Sequence, residues 1–452
     1  MVSEESLRRI LENFRRYISQ DQRFLLRDLL HTFHPADVAS ILSHMDNEEV
    51  EYLFDLLEPE VASEVLREMD EDAREHLLKR LDPERLSEVV GRMESDDAVD
   101  VISELPRERA EEVLREMAPE ASEEVRELLQ HPEDTAGRLM ALEVVAVRQD
   151  DTVDQAIAAI RKAVDEMGEF YYVYVVDDAG RLVGVLPLAR LLVSRSDRKV
   201  SEIMNQDVVS VPEDMDQEEV AQVFRRYDLV AVPVVDREDR LIGRITVDDV
   251  MEVLEEETSE DIGRMAGTGE TIREEIAWKI AGARFPWILT SLVSGLISGS
   301  IIGAFQGTIG RFLPLTVFIP IITAMGGNIG LQAASITVRG LALGKIDTFE
   351  LWRRALREAR VGVIMGVFCG GTLGLVAAIW HKNPAFGLVV GVAMWGAILV
   401  AATMGTVVPI LFRKVQVDPA IAAGPFITMS NDITGLAIYL GIATAMLKWL
   451  VG

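Results

Sequence analysis

Residues 361–380 read VGVIMGVFCGGTLGLVAAIW, a run without a single charge. At about 1.5 Å of rise per residue, a helix of this length crosses the roughly 30 Å hydrocarbon core of a bilayer. Four more apolar segments surround it, at 286–305, 313–343, 385–412 and 420–447. Lipid offers backbone groups no hydrogen-bond partner, so each segment is expected to be helical. The pattern predicts an all-α polytopic membrane domain over 284–452 with five transmembrane helices per protomer.

Outside that region the composition reverses. The chain carries 45 Lys+Arg against 74 Asp+Glu; residues 271–452 hold 14 of the cations and 7 of the acids, leaving 31 against 67, a net of −36, for residues 1–270. Such a surplus repels itself and loosens the compact state unless cations neutralise it. It also sets nucleic acid aside as a partner. The sole cysteine, Cys369, lies in an apolar run, which excludes a disulfide framework and a cysteine-based zinc site.

The opening ESLRRILENFRRY, from Glu5, lacks the apolar core of a secretory signal, so the acidic half is expected in the cytosol. The cytosolic ends of the segments then carry Arg273, Lys279, Arg284, Lys345, Arg353, Arg354, Arg357, Arg360, Arg413 and Lys414, and the outer ends Arg311, Lys382 and Lys448. This distribution obeys the positive-inside rule and places the C-terminus outside. A cell membrane, with the acidic half on its cytosolic side, is the expected location.

The acidic half is itself repetitive. PADVASILSHM from Pro35, PEVASEVLREM from Pro59 and PERLSEVVGRM from Pro83 recur every 24 residues, and PRERAEEVLREM follows from Pro106. Between them DNEEVEYLFDLL, DEDAREHLLKRL and ESDDAVDVISEL open on acids suited to a helix N-terminus. Paired short helices at a fixed period predict an N-terminal α-helical solenoid over 1–132. Past His131-Pro132 the pattern changes to short β-branched runs. LMALEVVAV from Leu139 matches IMNQDVVSV from Ile203, and VVDDAGRLVGV from Val175 matches VVDREDRLIGRI from Val234. The tandem unit over 133–254 resembles a pair of α+β CBS domains.

Glycines concentrate in the membrane half, with Gly295, Gly299 and Gly303 on one helix and Gly362, Gly366 and Gly370 on another, spacings that allow close helix contact. Asp432, within PFITMSNDITGLAIYL, is the exceptional residue there. Burying a carboxylate at that depth costs about 2.5–3.5 kcal/mol on insertion scales, so such acids face a water-filled path or a partner charge, here Arg339. Magnesium suits a lone acid because it dehydrates reluctantly and often uses one or two carboxylates. Two copies of Asp432 across a homodimer axis would make one site, with Asn431 and Thr428 as polar neighbours. GGNIGLQ, Gly326 to Gln332 and including Asn328, is read either as a loosened helix that frees carbonyls for an ion or as a packing kink.

Acids are densest at VDDVMEVLEEETSEDI, from Val247, with Asp96, Asp97 and Asp100 forming a second group; a solvated face is the plain alternative for each. Thr246 to Asp249, TVDD, has the Thr-x-x-Asp spacing by which CBS modules contact an adenosine nucleotide such as ATP, whereas the first repeat reads PLAR at 187–190. The six histidines show no metal-ligand spacing, and no nucleophile–base arrangement or phosphate loop suggests an enzyme.

Taken in order, helical repeat, CBS pair, acidic linker, five membrane segments, GGNxGxQ in the second and an acid after SN in the fifth, the chain resembles the MgtE family of magnesium channels. The resemblance implies a homodimer in the lipid bilayer with Asp432 at the central pore site. It implies a plug helix over 255–283, bridged by cytosolic Mg2+ to the CBS and N-terminal domains. The matching acids are Asp96, Asp100, Asp228, Asp249, Glu252, Glu257, Glu260 and Asp261. Ion binding would neutralise these acids and close the pore. The chain departs from the family at Gly424, where members carry Asn, and at Arg190, where relatives carry Asp. Two other readings stay open: a carrier of Co2+, Mn2+ or Ni2+, for which the fifth segment offers only Met429, and a nucleotide sensor with a membrane anchor.

Overall fold

The computed structural model describes residues 4–167, 172–266, 277–342, 346, 351–421, 424 and 426–446. Two compact units divide the chain, Met1–Val253 and Leu254–Gly452.

In the first unit the 24-residue period becomes pairs of short helices. Pro35–Leu42, Pro59–Glu68 and Pro83–Val90 each begin on proline, whose missing N–H and fixed φ suit a first helical turn. Asn47–Phe54, Glu71–Arg80 and Ser95–Ser103 follow acidic caps, and Asp46 with Glu49 forms a reciprocal capping box. Each proline helix stacks on the next proline helix. Arginines tie successive repeats: Arg85 donates to the Leu57 carbonyl at 2.6 Å, and Arg109 likewise to that of Leu81. The expected solenoid is therefore present, its spine made of buried Leu53, Leu66, Leu77, Leu86 and Val89.

Two three-stranded sheets follow. Ala146–Arg148 pairs parallel with Tyr172–Val176, which pairs antiparallel with Leu182–Pro187; Val211–Pro212, Ala231–Val235 and Leu241–Thr246 repeat that order, including a register shift at the same place. The repeats exchange segments. Ala141 bridges Arg244 and Asn205 bridges Val185, over Gly243 and Gly184, where an added Cβ would meet the Met140 and Met204 sulfurs at 2.6 Å. Gly180 and Asp239 occupy equivalent left-handed turn positions, φ 79° and 61°.

Among the described residues of the second unit, four helices are long and apolar enough to cross a membrane: Ala277–Ala304, Leu315–Ala342, Leu351–His381 and Pro384–Lys414. A shorter one, Ile427–Ala445, ends the described chain. The third and fourth pack through glycine, as the spacing predicted. A Cβ on Gly370 would stand 2.5 Å from the Gly391 carbonyl oxygen, and one on Gly374 2.7 Å from that of Gly387. Gly295, Gly299 and Gly303 behave otherwise, since nothing described lies within 4 Å of a Cβ placed there.

Two expectations need correcting. GGNIGLQ does not open into irregular backbone; Leu315–Ala342 runs through it as one helix, and of its glycines Gly330 serves the close approach of a neighbouring helix. The linker helix begins earlier than expected, at Val247, and runs to Ala266. Residues 267–276 of the expected plug helix, with Arg273, lie outside the described residues, as do Lys345 and Lys448.

Candidate functional site

The helix Ser95–Ser103 carries Asp96, Asp97 and Asp100, and a polar clasp fixes its start. Ser95 N and Oγ donate to the Glu143 carboxylate at 3.0 and 2.8 Å, and Leu142 N donates to Ser95 Oγ at 2.8 Å. Arg244, 5% exposed, donates to Glu94 at 2.8 Å and to the Glu143 carbonyl at 2.9 Å. Arg244 is buried while Glu94 is 39% exposed, and losing the charged hydrogen bonds of the arginine costs about 2–3 kcal/mol, which helps to hold carboxylates that repel.

Those carboxylates meet Asp249 and Glu252 at the start of Val247–Ala266. Burial pushes the Asp97 carboxyl up to about 7, with Asp249, Glu94 and Glu252 adding to the effect and Arg67, 3.6 Å away, opposing it. Burial likewise raises Asp100 to about 6, with Arg138 and Arg74 opposing. Asp96, Asp249, Glu252 and Glu94 are all held above the ordinary carboxylate range, burial being the largest cause and neighbouring acids contributing. The structure thus brings Asp96, Asp100, Asp249 and Glu252 together. Asp97, grouped with them in the sequence, joins them, and the fold adds Glu94 and Glu143, which spacing alone did not place there. Asp228 stays apart, exposed at the left-handed C-cap of Gln217–Tyr227, φ 52°. Among the described residues no three His, Cys, Asp or Glu side chains converge as a direct metal cage. A hydrated divalent ion, bridging carboxylates through its waters, is the kind of ligand such a spread suits.

Thr246 and Asp249 have a local task. Asp249 accepts from Thr246 N at 2.8 Å and from Thr246 Oγ1 at 2.7 Å, tying the turn before Val247–Ala266 as a cap would. Arg190 of the first repeat donates to the Ile203 carbonyl at 3.1 Å, joining the two repeats.

A second acidic group lies in the other unit. Arg264 pairs with Glu260 and with Asp418, and the Asp418 carboxylate also accepts from Ala420 N at 2.7 Å. Burial raises Asp261 to about 6, with Asp418 and Glu257 adding and Arg264 opposing. Asp418 was missed in the sequence; its only signal there is the turn-forming Asp-Pro pair. Gly424 is explained by the same corner. A Cβ there would stand 2.6 Å from the Met265 carbonyl oxygen, so only glycine admits the end of that helix.

In the last helix Asp432 is half-buried, and among the described residues no cation pairs with it; Arg339 is exposed and does not reach it. Thr428, one turn earlier on the same face, is exposed. Asn328 and Gln332 form a second exposed polar pair one turn apart on Leu315–Ala342, and Thr428 Cγ2 lies 3.8 Å from where a Cβ on the adjacent Gly327 would stand. Asn431 does not join this face. It is 2% exposed and its Nδ2 donates inward to the Gly326 carbonyl at 3.3 Å, because one residue along a helix turns the side chain by about 100°.

Comparison with known proteins covers the helical repeat, the CBS pair and most of the membrane half. The divalent cation transporter model of the MgtE family matches residues 319–442, its intracellular N-domain model 33–134, and the CBS model 136–196 and 200–256. The magnesium transporter MgtE of Enterococcus faecalis is 35% identical over 332 residues, 74% of this chain and 73% of that protein. This chain belongs to the MgtE family. The MgtE of Bacillus subtilis is 34% identical over 331 residues, 73% of each chain. Among solved structures, the cytosolic domain of the Mg2+ channel MgtE in complex with ATP is 36% identical, with a TM-score of 0.52, and covers 54% of this chain and 99% of that one. The soluble part of a magnesium transporter gives the same TM-score at 30% identity, covering 56% and 99%.

Proposed function

We propose that this MgtE-family chain conducts Mg2+ inward across a prokaryotic inner membrane as a homodimer, and that cytosolic Mg2+ closes it. The observation that carries the reading is Asp432: a carboxylate in an apolar helix, half-buried and without a cation partner among the described residues. Such a residue marks an ion path by default. Thr428, Asn328 and Gln332 are its polar neighbours on exposed faces and would contact the ion's water shell. Ile427–Ala445 counts as the fifth crossing in this reading, which sets the termini on opposite sides of the bilayer.

Gating follows from the acids. Asp96, Asp100, Asp249 and Glu252, with Asp228 and with Glu257, Glu260 and Asp261 of the linker helix, are the regulatory ligands, spread over the domains 1–132, 133–254 and the plug 255–283 that control the pore domain 284–452. Inverting a 99:1 population takes about 5.5 kcal/mol of differential affinity, so several weak sites act together. ATP is a second ligand of this reading, at Thr246 and Asp249 of the second CBS repeat alone, where ribose hydroxyls would take over the bonds that Asp249 makes to Thr246.

The test is Mg2+ uptake into proteoliposomes at low internal Mg2+, native chain against Asp432→Asn. Uptake by the native chain alone supports the reading. Equal uptake by both removes Asp432 from the path, and uptake of Co2+, Mn2+ or Ni2+ in place of Mg2+ reassigns the cargo.

A further inference from the structure

Three helices cross at Gly330, and the crossing is tighter than any residue but glycine permits. A Cβ on Gly330 would collide with the Asn431 amide nitrogen and stand 3.0 Å from both Asn431 Cγ and Ile427 Cγ2. From the other side, a Cβ on Gly405 would run into the Gly330 carbonyl oxygen and stand 2.9 Å from Ala333 Cβ. Into the notch left by Gly330 the last helix inserts the Asn431 side chain, 2% exposed, with Nδ2 bonded to the Gly326 carbonyl at 3.3 Å. Oδ1 of the same side chain is buried with no hydrogen-bond partner among the described residues. A buried amide with one bond made and one forgone is retained at a cost, which stability alone does not justify.

Asn431 precedes Asp432 directly. Whatever fixes the rotation of the helix at Asn431 therefore fixes the direction of the Asp432 carboxylate. A turn of about 20° swings a side-chain tip some 5–6 Å from the axis by roughly 2 Å. A hydrated Mg2+ demands near-octahedral geometry and is sensitive to displacements of that size.

We propose that Asn431 is a positioning residue for ion conduction: its amide, keyed into the Gly330 notch and bonded to Gly326, sets the rotation of the last helix and so aims Asp432. The inference rests on Asp432 lying in the ion path, and Asp432→Asn is carried alongside as a control on that reading alone.

The experiment measures Mg2+ uptake into proteoliposomes over a range of external Mg2+, with Ca2+ as competitor, for Asn431→Ala, Asn431→Asp, Gly330→Ala and the double variant Gly330→Ala/Asn431→Ala. The expected result is a fall of about tenfold in the preference for Mg2+ over Ca2+ in Asn431→Ala, with the protein still eluting as the native species. Asn431→Asp should do no better, since it supplies an ion ligand but no donor for the Gly326 carbonyl. Gly330→Ala should be the most damaged single variant, and the double variant should recover to the level of Asn431→Ala, because the colliding amide is gone. An Asn431→Ala protein with native uptake and native selectivity overturns the proposal, as does tighter Mg2+ binding by Asn431→Asp, which would make the residue a ligand. Failure of the double variant to recover overturns the notch. Native uptake by Asp432→Asn refutes the pore reading instead.

Discussion

Two groups of carboxylates in this chain meet opposite electrostatic conditions. Around Asp96 and Asp249 the acids are crowded, partly removed from water and raised in pKa by desolvation and by one another, with Arg67, Arg74 and Arg244 supplying only part of the opposing charge. Asp432 is alone in an apolar helix, half-buried, with no cation beside it among the described residues. Crowding stores repulsion that an arriving cation releases, which suits a sensor. Isolation leaves an acid that binds a hydrated ion weakly enough to let it go, which suits a path.

The contrast is broken most severely at Asp432: Asp432→Asn should reduce Mg2+ uptake to that of empty liposomes while leaving the thermal unfolding of the cytosolic part unchanged. Next comes Arg244→Ala, which strips Glu94 of its partner and should destabilise the first unit by about 2–3 kcal/mol, read from urea unfolding of the purified chain. Asp97→Asn should act in the opposite direction. With its pKa near 7 folded and about 3.9 unfolded, Asp97 binds more protons folded, so its charge weakens the folded state above pH 4 and the penalty grows until about pH 7. The variant should gain about 2–4 kcal/mol at pH 8 in chelator.

The same sign gives a pH prediction for the native chain. In chelator its melting temperature should rise as pH falls from 8 to 5.5, through the raised values of Asp97 and Asp100, and saturating Mg2+ should flatten that slope. A slope unaffected by Mg2+ would separate these acids from ion sensing. The smallest effect is expected at Gly299, where a Cβ meets nothing among the described residues: Gly299→Ala should change stability by less than about 0.5 kcal/mol. A smaller species than the native chain on gel filtration would show instead that a second copy lies against that face.

Residue pattern alone was enough for the helical repeat, the paired sheets and four of the five expected membrane helices. The 24-residue period produced paired helices because proline and acidic caps act on the turn they occupy, and the matched runs around Val175 and Val234 produced matched sheets because alternation is a local property. The close helix contact at Gly362, Gly366 and Gly370 was also legible, since the i,i+4 spacing puts small residues on one face. Asp432 stood out because a charge in an apolar helix is conspicuous on energy grounds.

Other features needed the tertiary structure. Arg244 and Glu94 are 150 residues apart and Arg264 and Asp418 154, so no window of sequence connects them. Asn431 reads as a neighbour of Asp432 in the sequence, yet the helix turns it toward Gly330, and only the packing of the last helix there shows why that glycine is bare. Composition and period depend on each residue's own neighbours along the chain. Which carboxylates share a cation, and which face of the last helix meets the ion, depend on distances across the fold, which the residue order specifies only through the packing it produces.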